Sequence, residues 1–144
     1  MICAVVARAM QRAESMLMPT ISRYMTANPV TIERTASLAD AHRVMRAHTI
    51  RHLPVLDQAG DLCGIVSERD LHLIETLDVD IGGALVEDAM AERPFIVTGD
   101  TALDEVVEIM AEQKYGSVVI MGKRGIEGIF TAVDACRAFA QILR

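Results

Sequence analysis

The heptad GIVSERD at residues 64–70 returns as GIFTAVD at residues 128–134. A Gly-Ile pair, an apolar residue, a hydroxyl residue and, three positions further on, an Asp are kept across an interval of 64 residues. The recurrence is not confined to the motif. At an offset of 65, Met25 meets Met90, Pro29 meets Pro94, Leu38 meets Leu103 and Met45 meets Met110. Val30-Thr31-Ile32 falls on Phe95-Ile96-Val97, and Leu53–Leu56 falls on Val118–Met121. The offset then drops to 64, because the second copy's turn is one residue shorter. A fixed period of this kind makes the chain two copies of one supersecondary unit. Each copy is under 60 residues, too short for more than a marginal core. Two copies packed about a pseudo-twofold axis can share one.

Each copy reads β-α-β-β-α. Pro29 and Pro94 open short strands, Val30–Ile32 and Phe95–Val97, and a strand's first position tolerates proline. SLAD (37–40) and TALD (101–104) each place a hydroxyl three residues before an acid, the pattern of a capping box. Leu38, Ala41, Val44 and Met45, and Leu103, Val106, Val107 and Met110, then keep helical spacing. LPVL turns into LCGIV, and VVIM turns into IEGIF, as two β-hairpins. Final helices start at Ser67 and Thr131. The reading divides the chain into an N-terminal amphipathic extension (1–20), repeat 1 (21–77), a short joint (78–85) that contains Gly82-Gly83, and repeat 2 (86–144).

Ahead of the repeats, Ile2, Val5, Val6, Ala9, Met10, Ala13, Met16 and Leu17 form a helical stripe, with Arg8, Gln11, Arg12 and Glu14 off it. Arg8 and Arg12 interrupt the apolar run that a secretory signal needs. The segment reads as a helix that packs on the module or on a partner chain, or as an upstream extension, since Met18 would itself make a plausible start. With no Trp, two Tyr and three Phe, the core must be aliphatic, which suits buried strands flanked by helices. A net charge of −6 argues against nucleic-acid binding, which needs a basic face to displace phosphate counterions. No run of about 18 apolar residues predicts a membrane span. Cys3, Cys63 and Cys136, odd in number and without a CxxC, read as reduced and mostly buried small hydrophobes, which favours the cytoplasm.

The hydroxyl–Asp pair has two readings. Ser67-x-x-Asp70 and Thr131-x-x-Asp134 are capping boxes, with the acid at the positive end of a helix. A helix start is also an anion site, so a phosphate could take free N–H groups while the carboxylate accepts from a ribose diol. Repeat 1 places Arg51, His52 and Arg69 near its pair, where repeat 2 has Gly116, Ser117 and Val133, so a phosphorylated ligand suits the Asp70 side better. Solvated surface arginines are the alternative for Arg51 and Arg69. His48 and His52 lie four apart, but at a helix end and a strand start, which spoils metal geometry; no metal site is predicted. No catalytic constellation appears: there is no P-loop, no Gly-x-Ser-x-Gly and no dinucleotide fingerprint, so no enzyme is predicted.

NPVTI (28–32), IRHLPVLD (50–57), GIVSERD and GIFTAVD, in this order and repeated at this distance, resemble a tandem pair of CBS motifs, a Bateman module, over about residues 21–140. The resemblance implies two clefts, each built from both repeats. Ser67 and Asp70 would face Phe95 and Ile96. Thr131 and Asp134 would face Thr31. A base would lie against Ile65 and Ile129. The ligand implied is AMP, ADP, ATP, S-adenosylmethionine or another adenosyl compound, with no required cofactor. The resemblance further implies a homodimer formed through helix faces and an unidentified protein target. The rival reading is a structural or oligomerisation module with vestigial clefts.

Overall fold

Each repeat folds in the order its pattern requires. The computed structural model describes residues 2–77 and 82–144, and within the first helix the side chains at positions 3–13. Half of the expected joint (78–81), and the side chains of Ile2, Met16 and Leu17, lie outside the described residues. Repeat 1 contributes β2 (Ile32–Glu33), α2 (Leu38–His48), β3 (His52–Leu56), β4 (Leu62–Ser67) and α3 (Glu68–Thr76). Repeat 2 contributes β5 (Ile96–Val97), α5 (Leu103–Gln113), β6 (Ser117–Gly122), β7 (Gly125–Thr131) and α6 (Ala132–Ile142). In both, the first strand runs parallel to the second and the second antiparallel to the third. The registers are equivalent: Ile32 pairs with Val55 as Val97 pairs with Ile120, and His52 pairs with Ser67 as Ser117 pairs with Thr131.

The segment ahead of each repeat belongs to the other repeat's packing. β1 (Thr26–Ala27) precedes the β-α-β-β-α unit of repeat 1 yet adds to β7 of repeat 2, Thr26 opposite Ile129. Reciprocally, Ala91 bridges Ile65 of β4, with backbone bonds of 2.8 and 3.0 Å. The helix starts are exchanged too. Leu103 N–H donates to the Pro19 carbonyl at 2.8 Å and Leu38 N–H to the Ala84 carbonyl at 3.2 Å. Ile21, in a single 3-10 turn, is fully buried among Leu103, Val106 and Phe130. Val86, opening α4 (Val86–Ala89), is fully buried among Leu38, Leu53 and Leu71. The two repeats thus hold two aliphatic clusters, each closed by an apolar residue from outside its own β-α-β-β-α unit, rather than one common core.

This crossing explains the repeated glycines. A Cβ on Gly64 would lie 2.6 Å from the Met90 sulfur and 2.8 Å from the Ala91 carbonyl oxygen. One on Gly128 would meet the Met25 sulfur and lie 3.0 Å from the Thr26 carbonyl oxygen. Both glycines are the floor on which the exchanged segment rests.

Three expectations are corrected. Ser37 caps α2, accepting from Asp40 N–H at 3.0 Å, but α5 is capped at Ala102 and not at Thr101. The offset of 65 that relates the helices puts Ala102, not Thr101, opposite Ser37, and the Thr101 hydroxyl turns to Thr98 at 3.4 Å. Cys3 and Cys136 are exposed thiols, because both sit on outward helix faces; Cys63 is half-buried, and that burial raises its thiol pKa. The N-terminal stripe does form a helix, α1 (Ile2–Leu17), but its described side chains, at 3–13, are all exposed and do not pack on the module.

Replacing Gly64 or Gly128 with Ala should destabilise the fold by about 1–3 kcal/mol each, since the obstacle is backbone as well as a flexible sulfur. Urea denaturation is the measurement; unchanged midpoints would show that the crossing segments are not seated as described.

Candidate functional site

The two hydroxyl–Asp pairs are complete capping boxes. Ser67 Oγ accepts from Asp70 N–H at 3.1 Å, while Asp70 Oδ2 accepts from the Ser67 N–H and hydroxyl, each at 2.8 Å. Thr131 and Asp134 repeat the arrangement at 3.3, 2.9 and 3.0 Å. The next N–H of each helix is also taken: Glu68 donates to the Arg51 carbonyl at 2.8 Å and Ala132 to the Gly116 carbonyl at 3.1 Å. Three of the four orphan donors at each helix start are therefore satisfied inside the fold. A phosphate finds one main-chain donor at each, not the open set that the motif alone implied.

The carboxylates differ in what they leave available. Asp70 is half-buried, and among the described residues its Oδ1 has no hydrogen-bond partner. Asp134 is buried, and its Oδ1 accepts from the Arg137 guanidinium at 3.4 Å. Arg137 corrects the sequence argument that the second site lacks cations. Its spacing of three residues along one helix was the readable signal. On the Asp70 side, Arg51 is extended into solvent with its Nε 3.6 Å from Glu68, so part of its charge is already offset. Arg69 is exposed.

His52 reaches across the molecule. A Cβ on Gly116 of repeat 2 would lie 3.1 Å from its Nε2, so the imidazole rests against repeat 2's backbone. Burial pushes its pKa below the ordinary histidine range; the Asp70 carboxylate raises it and Arg51 lowers it. One residue from Gly116, Tyr115 stacks on Phe95, ring centres 5.3 Å apart. Ser67, Asp70, Arg51 and His52 thus share one locality, with Phe95 beyond the Gly116 contact. Ile96 exposes much of its side chain on β5, and Ile65 lies on β4 beneath Ala91. Ile129 is buried opposite Thr26. Thr31 is half-buried just before β2, with no described bond to Thr131 or Asp134.

A groove of about 960 Å³ lies elsewhere, between α2 and α3, lined by His42, Arg43, Arg46, His72 and Glu75 among others. His42 Nε2 bonds the Glu75 carboxylate there, and the His42 and His72 rings are 5.8 Å apart. No periodicity flagged this grouping. Among the described residues no three His, Cys, Asp or Glu side chains are grouped to hold a metal ion, and no helix is long and apolar enough to cross a membrane.

Two β-α-β-β-α repeats with reciprocal edges and a capped hydroxyl–Asp pair on each define a tandem two-repeat module of pseudo-twofold symmetry. The CBS domain family matches residues 21–73 and 86–141, and the chain belongs to that family. It is 32% identical over 129 residues to inosine-5'-monophosphate dehydrogenase of Korarchaeum cryptofilum (strain OPF8), covering 89% of this chain but 24% of that enzyme. Among solved structures it is similar to AcuB from Vibrio cholerae (TM-score 0.78, 30% identity, 88% of this chain and 93% of that one). It is also similar to Arabidopsis thaliana CBSX2, solved in complex with AMP (TM-score 0.75, 27% identity, 88% and 99%).

The depressed His52 pKa carries a sign. A histidine held neutral in the fold leaves the unfolded chain binding more protons once pH falls below its ordinary value, so stability is lost as pH drops through about 6.5 and toward the lower folded pKa. Urea melts of the wild type and His52→Gln at pH 7.5 and 5.5 should show a smaller acid loss in the variant. Equal losses would mean that the imidazole is not buried against Gly116.

Proposed function

We propose that this chain is a regulatory module which binds an adenine nucleotide or a related adenosyl compound, S-adenosylmethionine among them, between its CBS repeats and signals to a partner protein. The observation that carries the reading is the split carboxylate of Asp70. Its Oδ2 is fixed by the capping box, which orients Oδ1, free of any described partner, toward whatever approaches the start of α3. An oriented, unengaged carboxylate oxygen suits a ribose diol, and the Arg51 and Arg69 guanidiniums suit the phosphate, with the neutral His52 as a hydrogen-bonding neighbour. AMP in the CBSX2 structure supports the ligand class. The Asp134 side, where Arg137 already occupies Oδ1, is the weaker of the two.

In this reading the module has no catalysis of its own, works in the cytoplasm as a homodimer and requires no cofactor. The dehydrogenase relative supports no enzymatic reading, since the match spans 24% of its length. A ligand touching both repeats changes their packing, and the response is bounded by its differential affinity for the two packings.

Calorimetry with AMP, ADP, ATP and S-adenosylmethionine tests the reading. Asp70→Ala should lose charge-assisted hydrogen bonds of about 1.5–3 kcal/mol, a fall of about 10- to 150-fold in affinity. Asp134→Ala should cost less. A thermal melt of each variant separates lost binding from a lost helix cap. Wild-type protein that binds none of the four would favour a structural module with vestigial clefts, and loss on Asp134→Ala alone would move the site to the second repeat.

A further inference from the structure

We propose that α1 is an exchange arm: it seats on the α5/α6 face of a second copy of this chain. This deepens the homodimer part of the proposed function and rests on it. The arm has an unpartnered apolar face. Val5 (69% exposed), Val6 and Met10 line one side of α1, with Arg8 and Arg12 on its flank. Among the described residues no hydrogen bond, ion pair or ring contact joins α1 to the body. A lone helix of 16 residues is marginal in water, so this one needs a surface.

The receiving face is identified by its unmatched charge. Asp104, Glu108 and Glu112 stand four apart along α5, all exposed, and none has an ion-pair partner among the described residues. Like charges so spaced oppose the helix that carries them, and Glu112 also stands at its negative end. Pseudo-symmetry places apolar ground beside them. The groove between α2 and α3 is lined by His42, Arg43, Ala47 and Glu75. The corresponding residues of repeat 2 are Val107, Glu108, Glu112 and Phe139, the last 63% exposed. An apolar strip with an acidic rim meets an apolar stripe with a basic flank. Arg8–Arg12 and Glu108–Glu112 share one spacing, about 6 Å along a helix.

The exit point fits an exchange. Pro19, just after α1, accepts from Leu103 N–H at the start of α5, so the arm leaves the body beside the face that would receive its counterpart. A closed twofold contact needs donor and acceptor placed together in this way. The described side chains of the chain's own arm, at 3–13, are all exposed, so its own α5 does not cover their apolar face, and the complementary charges point to the second copy as occupant.

Sedimentation velocity at micromolar concentration decides the matter on the full chain. The wild type should be a dimer. Arg8→Glu/Arg12→Glu and Glu108→Arg/Glu112→Arg should each weaken dimerisation at least tenfold, and an equimolar mixture of the two variants should recover dimers, because each arm then faces a rim of opposite charge. Unaltered dimers in the arm variant would overturn the arm while leaving the homodimer intact. A monomeric wild type would overturn both, and calorimetry with AMP would still judge the ligand reading separately. If the variants are monomeric but the mixture stays monomeric, with melting temperatures lowered, the arm folds on its own chain and the exchange is wrong.

Discussion

Ile21 and Val86 each sit at the bottom of a cluster formed by residues far along the chain, and the arrangement of the whole molecule depends on that crossing. Burying a side chain of this size contributes about 1.5–3 kcal/mol, and here each such contribution is available only when the two repeats are together. The same segments supply carbonyls to the first N–H groups of α2 and α5 and an antiparallel edge to β4 and β7. Neither repeat retains a closed core if the other is pulled away. Separating the repeats therefore opens both clusters at once.

The crossing also decides what the conserved-looking motif is for within this chain. Gly64 and Gly128 give the exchanged backbone its passage, and the hydroxyl–Asp pairs begin the helices directly after those strands. The capping boxes use one carboxylate oxygen each and leave the other to its surroundings. At Asp134 the surroundings supply Arg137, a guanidinium largely in water, and surface pairs of that kind are worth about 0–1 kcal/mol. The difference between the sites is therefore one of degree: a ligand at Asp134 must displace or share a weak cation, whereas one at Asp70 need not.

The fold was legible because it is written twice. Period, strand order and helix starts were carried by apolar spacing that a second copy could check. What escaped was non-local or depended on a one-residue phase. TALD imitates SLAD in composition, yet the helix phase makes Ala102 the cap, one residue past the Thr101 hydroxyl, so α5 starts without a side-chain cap. The exchange of Ile21 and Val86 could not be read, since an apolar residue before a repeat looks the same whichever core it enters. At the site, Ser67 and Asp70 could be read as a motif. The Arg51–Glu68 pair and the placement of His52 against Gly116 could not, since neither follows a helical or strand spacing.

The His52–Gly116 contact gives the two repeats a point of communication that the second site lacks. Its counterpart by the offset of 65 is Ser117, too short to reach as far, and Gly116 stands where repeat 1 has Arg51. The carbonyls of those same residues, Arg51 and Gly116, accept the first N–H of α3 and of α6. A shift at the start of α3 therefore bears on the Arg51 carbonyl, then on its neighbour His52, then on Gly116 and the start of α6. Interiors packed at this density respond to displacement by moving as units rather than by compressing. The chain so described runs from the free oxygen of Asp70 to the first turn of α6, where Asp134 stands. Any coupling along it acts equally in both directions, since linkage between two sites is reciprocal.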